Sequence, residues 1–308
     1  MKTFVKSFIK RKPLRKASAK AQSAMEYLMT YGWAILIISV VLAALFQLGV
    51  FNPMTFAPKA PPGACQVFRP NGPYTTSFIN LEGMCSGELP QYVAQFNGQN
   101  GYITVGSALP LSPSQITVCA WINPTVITGS RREIVGNDYT SSDSFFLSLN
   151  NNGNSEGDFW VHTTSGWQGP VVTPSAVPLN TWSFLCANWT GSNEYIYLNG
   201  RSVGSLGTSG TISLPIGAPI EIGADDENMQ WWDGSIANVQ IYNTSLSASE
   251  IQALYQEGIG GAPIDLQHLV AWWPLNGNAN DYSGNGNNGQ IIGNVNFVSN
   301  WYSGYTPP

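Results

Sequence analysis

The chain has 308 residues, enough for one large domain or two smaller ones. Its net charge of −5 conceals two unlike parts, because eight of the 13 Lys and Arg residues precede residue 21 and all 18 acidic residues follow it. The acidic remainder argues against nucleic-acid binding, and its many Gly, Asn, Ser, Thr, Trp and Tyr residues are typical of an extracellular all-β module.

An uncharged apolar run of 24 residues, 28–51, follows the basic leader. About 20 such residues span a bilayer, so we predict a transmembrane helix over 22–51 with its N-terminal side in the cytoplasm. Glu26 lies at the mouth of this run, where an ionised side chain is costly. A secretory signal has a shorter apolar core, and a plain anchor explains neither Glu26 nor the eight cations. A Glu26 side chain that snorkels to the membrane interface is a further alternative.

The sequence from Lys20 to Tyr27, KAQSAMEY, together with the apolar run resembles the class III signal peptide of archaeal type IV pilin-like proteins. The resemblance implies that a prepilin peptidase cuts between Ala21 and Gln22 and removes the leader, 1–21. It also implies that the helix remains and packs against copies of itself or other pilins in a filament core. Glu26 then lies one helical turn from the new α-amino group of Gln22, and it pairs with that amine or with a neighbouring subunit's.

Residues 52–63 contain four prolines, which predict an extended, semi-rigid linker in front of an outer domain, 64–308.

Four cysteines, an even number, fit an oxidising compartment and allow three disulfide pairings. We favour Cys65 with Cys85, which closes a loop of about 20 residues, and Cys119 with Cys186, each within a predicted strand. A metal site is the rival interpretation, but the chain contains no C-x-x-C motif.

From about Tyr92 the chain predicts short strands separated by turns. Residues 116–122 and 182–189 alternate between apolar and other side chains, and Asn199-Gly200 is a strong signal for a type I′ hairpin. Ser247-Ala-Ser-Glu250 is a capping box that predicts the start of a helix ending near Gly258.

Six segments, in order and spacing, look like successive strands of a concanavalin A-like lectin/glucanase domain of the laminin-G type. The most specific of them contains GxIxxVxIYNxxLSxxEIxxLY. The resemblance implies an antiparallel jelly-roll sandwich, so the expected fold class is an N-terminal hydrophobic α-helix plus an all-β jelly roll. The segments are 92–106, 116–124, 179–189, 195–205, 220–226 and 233–258.

Residues 264–308 depart from the family, because 268–289 look like the opening strand and loop of such a domain but come last. Too few residues remain for a second sandwich. The segment either returns as a permuted strand to the same jelly roll or completes a neighbouring subunit's sheet. We favour the first, because a partner in the same chain has the higher effective concentration.

The sequence contains no convincing catalytic motif, and we expect no enzymatic activity. Glu221 begins the acidic stretch 221–227, which would carry the chemistry of a glycosidase if there were one. Laminin-G-type domains often hold calcium at the rim, which makes Asp138, Asp225 and Asp226 candidate ligands. Ala237 and Asn238 stand where relatives commonly have acidic residues, which puts such a site in doubt.

Several tryptophans could stack on sugars, although most tryptophans in a sandwich belong to the core. Trp231 and Trp232 lie in a predicted loop and are our candidates for ligand binding, ahead of Trp160, Trp167, Trp272 and Trp273.

Two N-x-S/T sequons permit glycosylation at Asn188 and Asn243.

We therefore expect a membrane-inserted precursor that becomes an extracellular filament subunit, whose lectin-like domain adheres to glycans, cells or surfaces. One alternative is a membrane-anchored glycan-binding protein that does not polymerise. A second is a surface glycosidase.

Overall fold

The structure is a computed structural model in which the chain divides into two units, Met1–Ala57 and Pro58–Pro308. The described residues are 29, 31–43, 89–106, 109, 111, 114–126, 131–137, 144–149, 155–213, 219–225 and 229–308.

In the first unit, residues 31–43 form helix α1, whose large apolar side chains are exposed. Among the described residues, no helix combines the length and apolarity needed to cross a membrane. The predicted helix 22–51 continues beyond α1 at both ends, into residues that are not described. Several predictions concern such residues: the leader 1–21, the linker 52–63, the processing and assembly residues Ala21, Gln22 and Glu26, and the Cys65–Cys85 pair.

The second unit is a sandwich of two sheets in which every strand pair described is antiparallel, which confirms the predicted all-β sandwich. One sheet, called sheet A, has the order β10-β9-β8-β3-β12-β1-β15, with β13 also paired to β12. Its strands are β1 (Val93–Asn97), β3 (Ile116–Pro124), β8 (Ser183–Trp189), β9 (Asn193–Leu198), β10 (Arg201–Gly207), β12 (Asp233–Tyr242), β13 (Leu269–Trp273) and β15 (Val295–Val298).

The other sheet, sheet B, has the order β14-β2-β11-β4-β5-β6-β7. Its strands are β2 (Tyr102–Val105), β4 (Arg132–Gly136), β5 (Phe145–Leu149), β6 (Glu156–Thr163), β7 (Gly166–Ala176), β11 (Ile220–Ile222) and β14 (Gly289–Ile292).

The main core lies between the two sheets, because alternate side chains of each strand face inward. Val118 and Ala120 of β3 meet Phe159 and Val161 of β6 in one buried cluster. The other face of sheet A carries a second apolar cluster that includes Trp121, whose ring stacks on Tyr255 of α2 (Ala248–Glu257) at 5.7 Å. Both faces of sheet A are therefore largely buried.

Helix α2 begins and ends as the sequence predicts. The Glu250 N–H donates to Ser247 Oγ, and the Ser247 N–H donates to Glu250 Oε2 at 2.7 Å, which completes the capping box. Gly258 ends the helix with φ 82°, a backbone conformation that favours glycine. Ile251 and Leu254 are buried against sheet A.

Two strands from distant parts of the chain lie end to end along one edge of β12. β1 pairs with the first half of β12, from Asp233 to Ile236, and β13 pairs with the second half, from Val239 to Tyr242. A bulge separates the halves, and there the Asn238 N–H donates to the Pro274 carbonyl at 3.1 Å.

The C-terminal segment contributes to both sheets of its own chain: β13 and β15 pair in sheet A, and β14 pairs with β2 in sheet B. In the structure this segment thus pairs within its own chain. Trp301 fixes the end of this segment, because its Nε1 donates to the Pro90 carbonyl and its own carbonyl accepts Trp182 Nε1, both at 3.0 Å.

A disulfide joins Cys119 of β3 to Cys186 of β8, which are directly opposite each other in the ladder. This disulfide is one of the two predicted pairs.

Candidate functional site

The outer face of sheet B, away from the core, carries polar and aromatic side chains on alternate residues. In β6 the core positions are Phe159 and Val161, so Asp158, Trp160 and His162 point outward. A tight turn leads from β6 to β7 and places Trp167 opposite His162 in the ladder. The local alternation of β6 and this hairpin thus bring two indoles to one surface.

Trp160, Trp167 and Phe146 of β5, together with Arg131, line an open pocket of about 270 Å³, which we call the aromatic pocket. The ring centroids of Phe146 and Trp167 are 5.2 Å apart, and those of Trp160 and Trp167 are 6.2 Å apart with perpendicular planes. Trp167 is 38% exposed. An accessible indole of this kind offers a flat apolar surface with a polar edge.

Arg131 forms one wall of the aromatic pocket and is held from two sides. Its guanidinium carbon lies 3.7 Å from the centroid of the Phe146 ring, within the range of a cation–π contact. Its Nη2 lies 3.6 Å from both Glu133 Oε2 and Asp225 Oδ2, two buried carboxylates. The cation is therefore close to neutralising charges, and the pocket wall combines hydrogen-bond donors with little net positive charge.

Asp158 fixes the orientation of Trp160. The Trp160 Nε1–H donates to Asp158 Oδ2 at 3.2 Å, and Ser148 Oγ donates to Asp158 Oδ1. Burial raises the pKa of Asp158, although these hydrogen bonds and the Arg131 charge oppose the shift. A planar ring held in this way can contact a ligand with little loss of rotamer freedom.

The family model of the concanavalin A-like lectin/glucanases superfamily, Laminin_G_3, matches residues 97–252, just over half of the chain. The chain belongs to this superfamily. The lectin-like sandwich that the sequence resembled is thereby confirmed. No curated protein matches the chain.

Two solved structures share the fold with this lectin-like domain. A Bacteroides ovatus protein assigned as a carbohydrate binding protein aligns with 68% of this chain and 60% of its own, at 15% identity and a TM-score of 0.51. The heptameric SAP-like pentraxin of Limulus polyphemus aligns with 68% of this chain and 94% of its own, at 17% identity and a TM-score of 0.51. At such low identity the similarity concerns the fold alone.

The predicted sugar-binding tryptophans occupy other positions in the lectin-like domain. Trp232 is 1% exposed and packs in the main core, so its assignment to ligand binding was wrong. The backbone of Trp232 is tied down, since its N–H donates to the Gly223 carbonyl at 2.8 Å. Trp231 is half-buried, with its ring 5.7 Å from that of Tyr102, and is not part of the aromatic pocket.

Of the candidate calcium ligands, only Asp225 is described, and it is buried beside the guanidinium of Arg131. Among the described residues, no three His, Cys, Asp or Glu side chains converge as metal ligands. These residues therefore do not fit calcium by themselves. Asp138 and Asp226 lie outside the described residues, and calcium binding stays a prediction.

Asn188 was a wrong choice for glycosylation, because it is 1% exposed in the central strand β8 and its Nδ2 donates to the Leu246 carbonyl at 2.7 Å. A glycan on this nitrogen would break the bond and have no room. Asn243 is half-buried at the end of β12, and its glycosylation stays a prediction.

A further cavity, of about 250 Å³, lies near the junction of β1 and β13, but its polar groups are mostly satisfied by the protein. Asn238 Nδ2 donates to the Gly261 carbonyl, and Asn238 Oδ1 accepts Trp272 Nε1 at 2.7 Å. Asn278 Nδ2 donates to Tyr282 Oη at 3.1 Å. Such a cavity has few donors and acceptors left for a ligand, so we prefer the aromatic pocket as the candidate site.

Proposed function

We propose that this protein binds neutral glycans at the cell surface through the aromatic pocket of its lectin-like domain. The observation that supports this proposal is that Phe146, Trp160 and Trp167 converge with the hydrogen-bond donors of Arg131 on one open surface. The chain that carries this surface belongs to the concanavalin A-like lectin/glucanases superfamily. The apolar faces of sugar rings pack on such aromatic rings, while their hydroxyls take hydrogen bonds from the pocket wall.

The charge of the lectin-like domain favours neutral over acidic glycans. Residues 89–308 contain three arginines and no lysine, against 15 acidic side chains. Polyanionic ligands such as sulfated or sialylated chains would meet repulsion from this surface. Arg131, which lines the pocket, already has Glu133 and Asp225 beside it and offers little attraction to an added anion.

Binding of the full chain to insoluble neutral and acidic polysaccharides tests this proposal. Trp167→Ala should weaken binding by roughly tenfold, corresponding to about 1.4 kcal/mol. Trp167→Tyr, which keeps an aromatic ring, is the matched variant and should retain most of the affinity. Equal binding by wild type and Trp167→Ala, or a preference for acidic polysaccharides, would contradict the proposal.

For the N-terminal part, we propose a pilin-like subunit that is cut before Gln22 and assembles through its apolar helix. Support comes from the motif from Lys20 to Tyr27, with Glu26 one helical turn from the new terminus. Mass spectrometry of the surface form should find Gln22 as the first residue, and electron microscopy should find filaments. Glu26→Gln should preserve cleavage and abolish filaments, whereas an intact Met1 would favour a plain anchor.

We propose binding without hydrolysis. The sequence offers Glu221 as the strongest catalytic candidate, and no motif accompanies it. The purified chain should release no reducing sugar from polysaccharides that it binds. Turnover that disappears in Glu221→Gln would instead establish a glycosidase.

A further inference from the structure

A second cavity with the chemistry of a sugar-binding site lies on the opposite side of the sandwich, on the outer face of sheet A. Its volume is about 200 Å³. Apart from Val298 and Trp301, its lining residues are neutral and polar, with amide or hydroxyl side chains. We call it the amide pocket. Its lining residues are Gln95, Asn123, Thr125, Asn180, Ser235, Val298, Asn300, Trp301 and Ser303.

The floor of the amide pocket is a row of polar side chains in lateral register. Gln95 of β1 pairs with Ser235 of β12, and Ser235 pairs with Asn123 of β3. All three share the outward face with Val93, Ala237 and Trp121 two residues away, which belong to the apolar cluster under α2. The row thus interrupts a face that is otherwise apolar, at the end that α2 does not cover.

The hydrogen-bonding capacity of this row is largely unused. Asn123 Nδ2 donates to the Ser303 carbonyl at a long 3.4 Å. The side chains of Gln95, Ser235 and Asn300 have no hydrogen bond to any group in the described part of the chain. Amides supply both donors and acceptors, which is the pattern that the vicinal hydroxyls of a sugar require.

The wall of the amide pocket is held in place by the C-terminal segment. The Trp182 N–H donates to the Gly304 carbonyl at 2.8 Å, and Trp301 is anchored through Pro90 as described above. Next to the pocket, the ring of Tyr302 stacks on Trp301 with centroids 4.4 Å apart and is 50% exposed. A preformed wall reduces the entropy that a bound ligand would cost.

We propose that the amide pocket is a second carbohydrate site, which takes one neutral sugar unit of a glycan. Its lining has no charged side chain to hold an ion, a nucleotide or an acidic sugar, and its volume suits one ring rather than an extended chain. The site does not depend on the aromatic pocket, because the two lie on opposite outer faces of the sandwich. With both occupied, one domain would connect two glycan chains, and binding to a dense glycan surface would gain from multivalency.

Saturation-transfer NMR on the detergent-solubilised full chain tests the proposal, with glucose, galactose, mannose and N-acetylglucosamine as separate probes. The double variant Trp160→Ala/Trp167→Ala lacks the aromatic pocket and should still bind at least one probe. Adding Gln95→Ala/Asn300→Ala should weaken that binding at least tenfold. Asn296→Ala is the matched control, because Asn296 lies opposite Gln95 in β15 but outside the pocket, and it should leave binding unchanged.

The outcomes separate the two sites. If Trp160→Ala/Trp167→Ala abolishes all sugar binding, the amide pocket is not a site, while the proposed function stands. If this variant binds as wild type does and Gln95→Ala/Asn300→Ala abolishes binding, the amide pocket stands and the aromatic pocket fails. Binding that survives both changes overturns the inference. Gln95 and Asn300 are exposed, so Gln95→Ala/Asn300→Ala should fold as the wild type does. If its melting temperature falls nevertheless, Ser303→Ala serves as a second variant of the amide pocket in the same test.

Discussion

The indole N–H of Trp160 donates to the Oδ2 atom of Asp158, two residues earlier on the same face of β6. This bond connects a buried carboxyl to a ring of the aromatic pocket. The carboxyl also accepts a hydrogen bond from the hydroxyl of Ser148. In the proposed glycan site, the acid would therefore act on the ligand through the ring that it orients.

Replacing Asp158 should affect both stability and glycan binding. Asp158→Ala leaves the Ser148 hydroxyl and the Trp160 indole without their acceptor, which should cost about 1–3 kcal/mol of unfolding free energy. Glycan affinity should fall several-fold, since the ring is no longer fixed. Asp158→Asn keeps an acceptor and should lose less of both. Urea denaturation and a binding isotherm measure the two effects, and an Asp158→Ala variant with unchanged affinity would contradict the positioning role.

Glu194 should make the stability of the domain depend on pH. Its carboxyl is buried in β9, and burial raises its pKa from the ordinary 4.5 to about 8, although a hydrogen bond from the Val171 backbone opposes the shift. Between these values the folded state keeps a proton that the unfolded state has lost, so the unfolding free energy falls as pH rises and levels off above 8.

For a single group the slope between pH 5 and 8 approaches about 1.4 kcal/mol per pH unit. Glu194→Gln cannot titrate and should remove this slope, so that the variant gains stability relative to wild type as pH rises. Glu156→Gln, at a partly exposed carboxyl, is the control in which the slope should persist. Parallel pH profiles for wild type and Glu194→Gln would refute the assignment.

Loss of the Cys119–Cys186 disulfide should lower the unfolding free energy considerably. The bond closes a loop with a sequence separation of 67, for which the chain-entropy model gives about 4 kcal/mol. Cys119→Ala/Cys186→Ala, compared with wild type by denaturation without reductant, measures this. A loss below about 1 kcal/mol would mean that the antiparallel pairing of β3 and β8 constrains the chain nearly as well without the bond.

Trp301 should be a main anchor of the C-terminal segment. It is 5% exposed and its indole bonds to Pro90, so Trp301→Ala should cost about 3–5 kcal/mol. Tyr302→Ala removes a neighbouring ring that is half-exposed and should cost clearly less. Thermal unfolding of the two variants compares them, and similar losses would indicate that the segment is held by its strands alone.

The strands and the hairpin were predictable because they depend on local patterns. The alternation in 116–122 defines the two faces of β3, and Asn199-Gly200 adopts the positive φ values, 50° and 74°, that a type I′ turn requires. The capping box at Ser247 is equally local. Each of these signals lies within a few residues and needs no knowledge of the rest of the fold.

The candidate site could not be predicted from the sequence, because it depends on contacts between residues that are far apart in the chain. Trp232 follows a polar stretch and looked exposed, but its backbone is tied to Gly223 and its ring enters the core. Asn188 belongs to a sequon, yet β8 is covered on both faces. The alternation of Asp158, Trp160 and His162 against Phe159 and Val161 could have indicated the outward tryptophan, whereas the approach of Arg131 from beside β4 could not be foreseen.

The end-to-end arrangement of β1 and β13 along β12 has a consequence for biosynthesis. Of the described strands, β13, β14 and β15 leave the ribosome after the other twelve; β15 joins the edge of sheet A and β14 joins the edge of sheet B. A nascent chain therefore cannot complete either sheet until its last strands have been made, even when most of the domain has already been synthesised. Such a delay would postpone closure of the sandwich until synthesis of this domain is nearly finished.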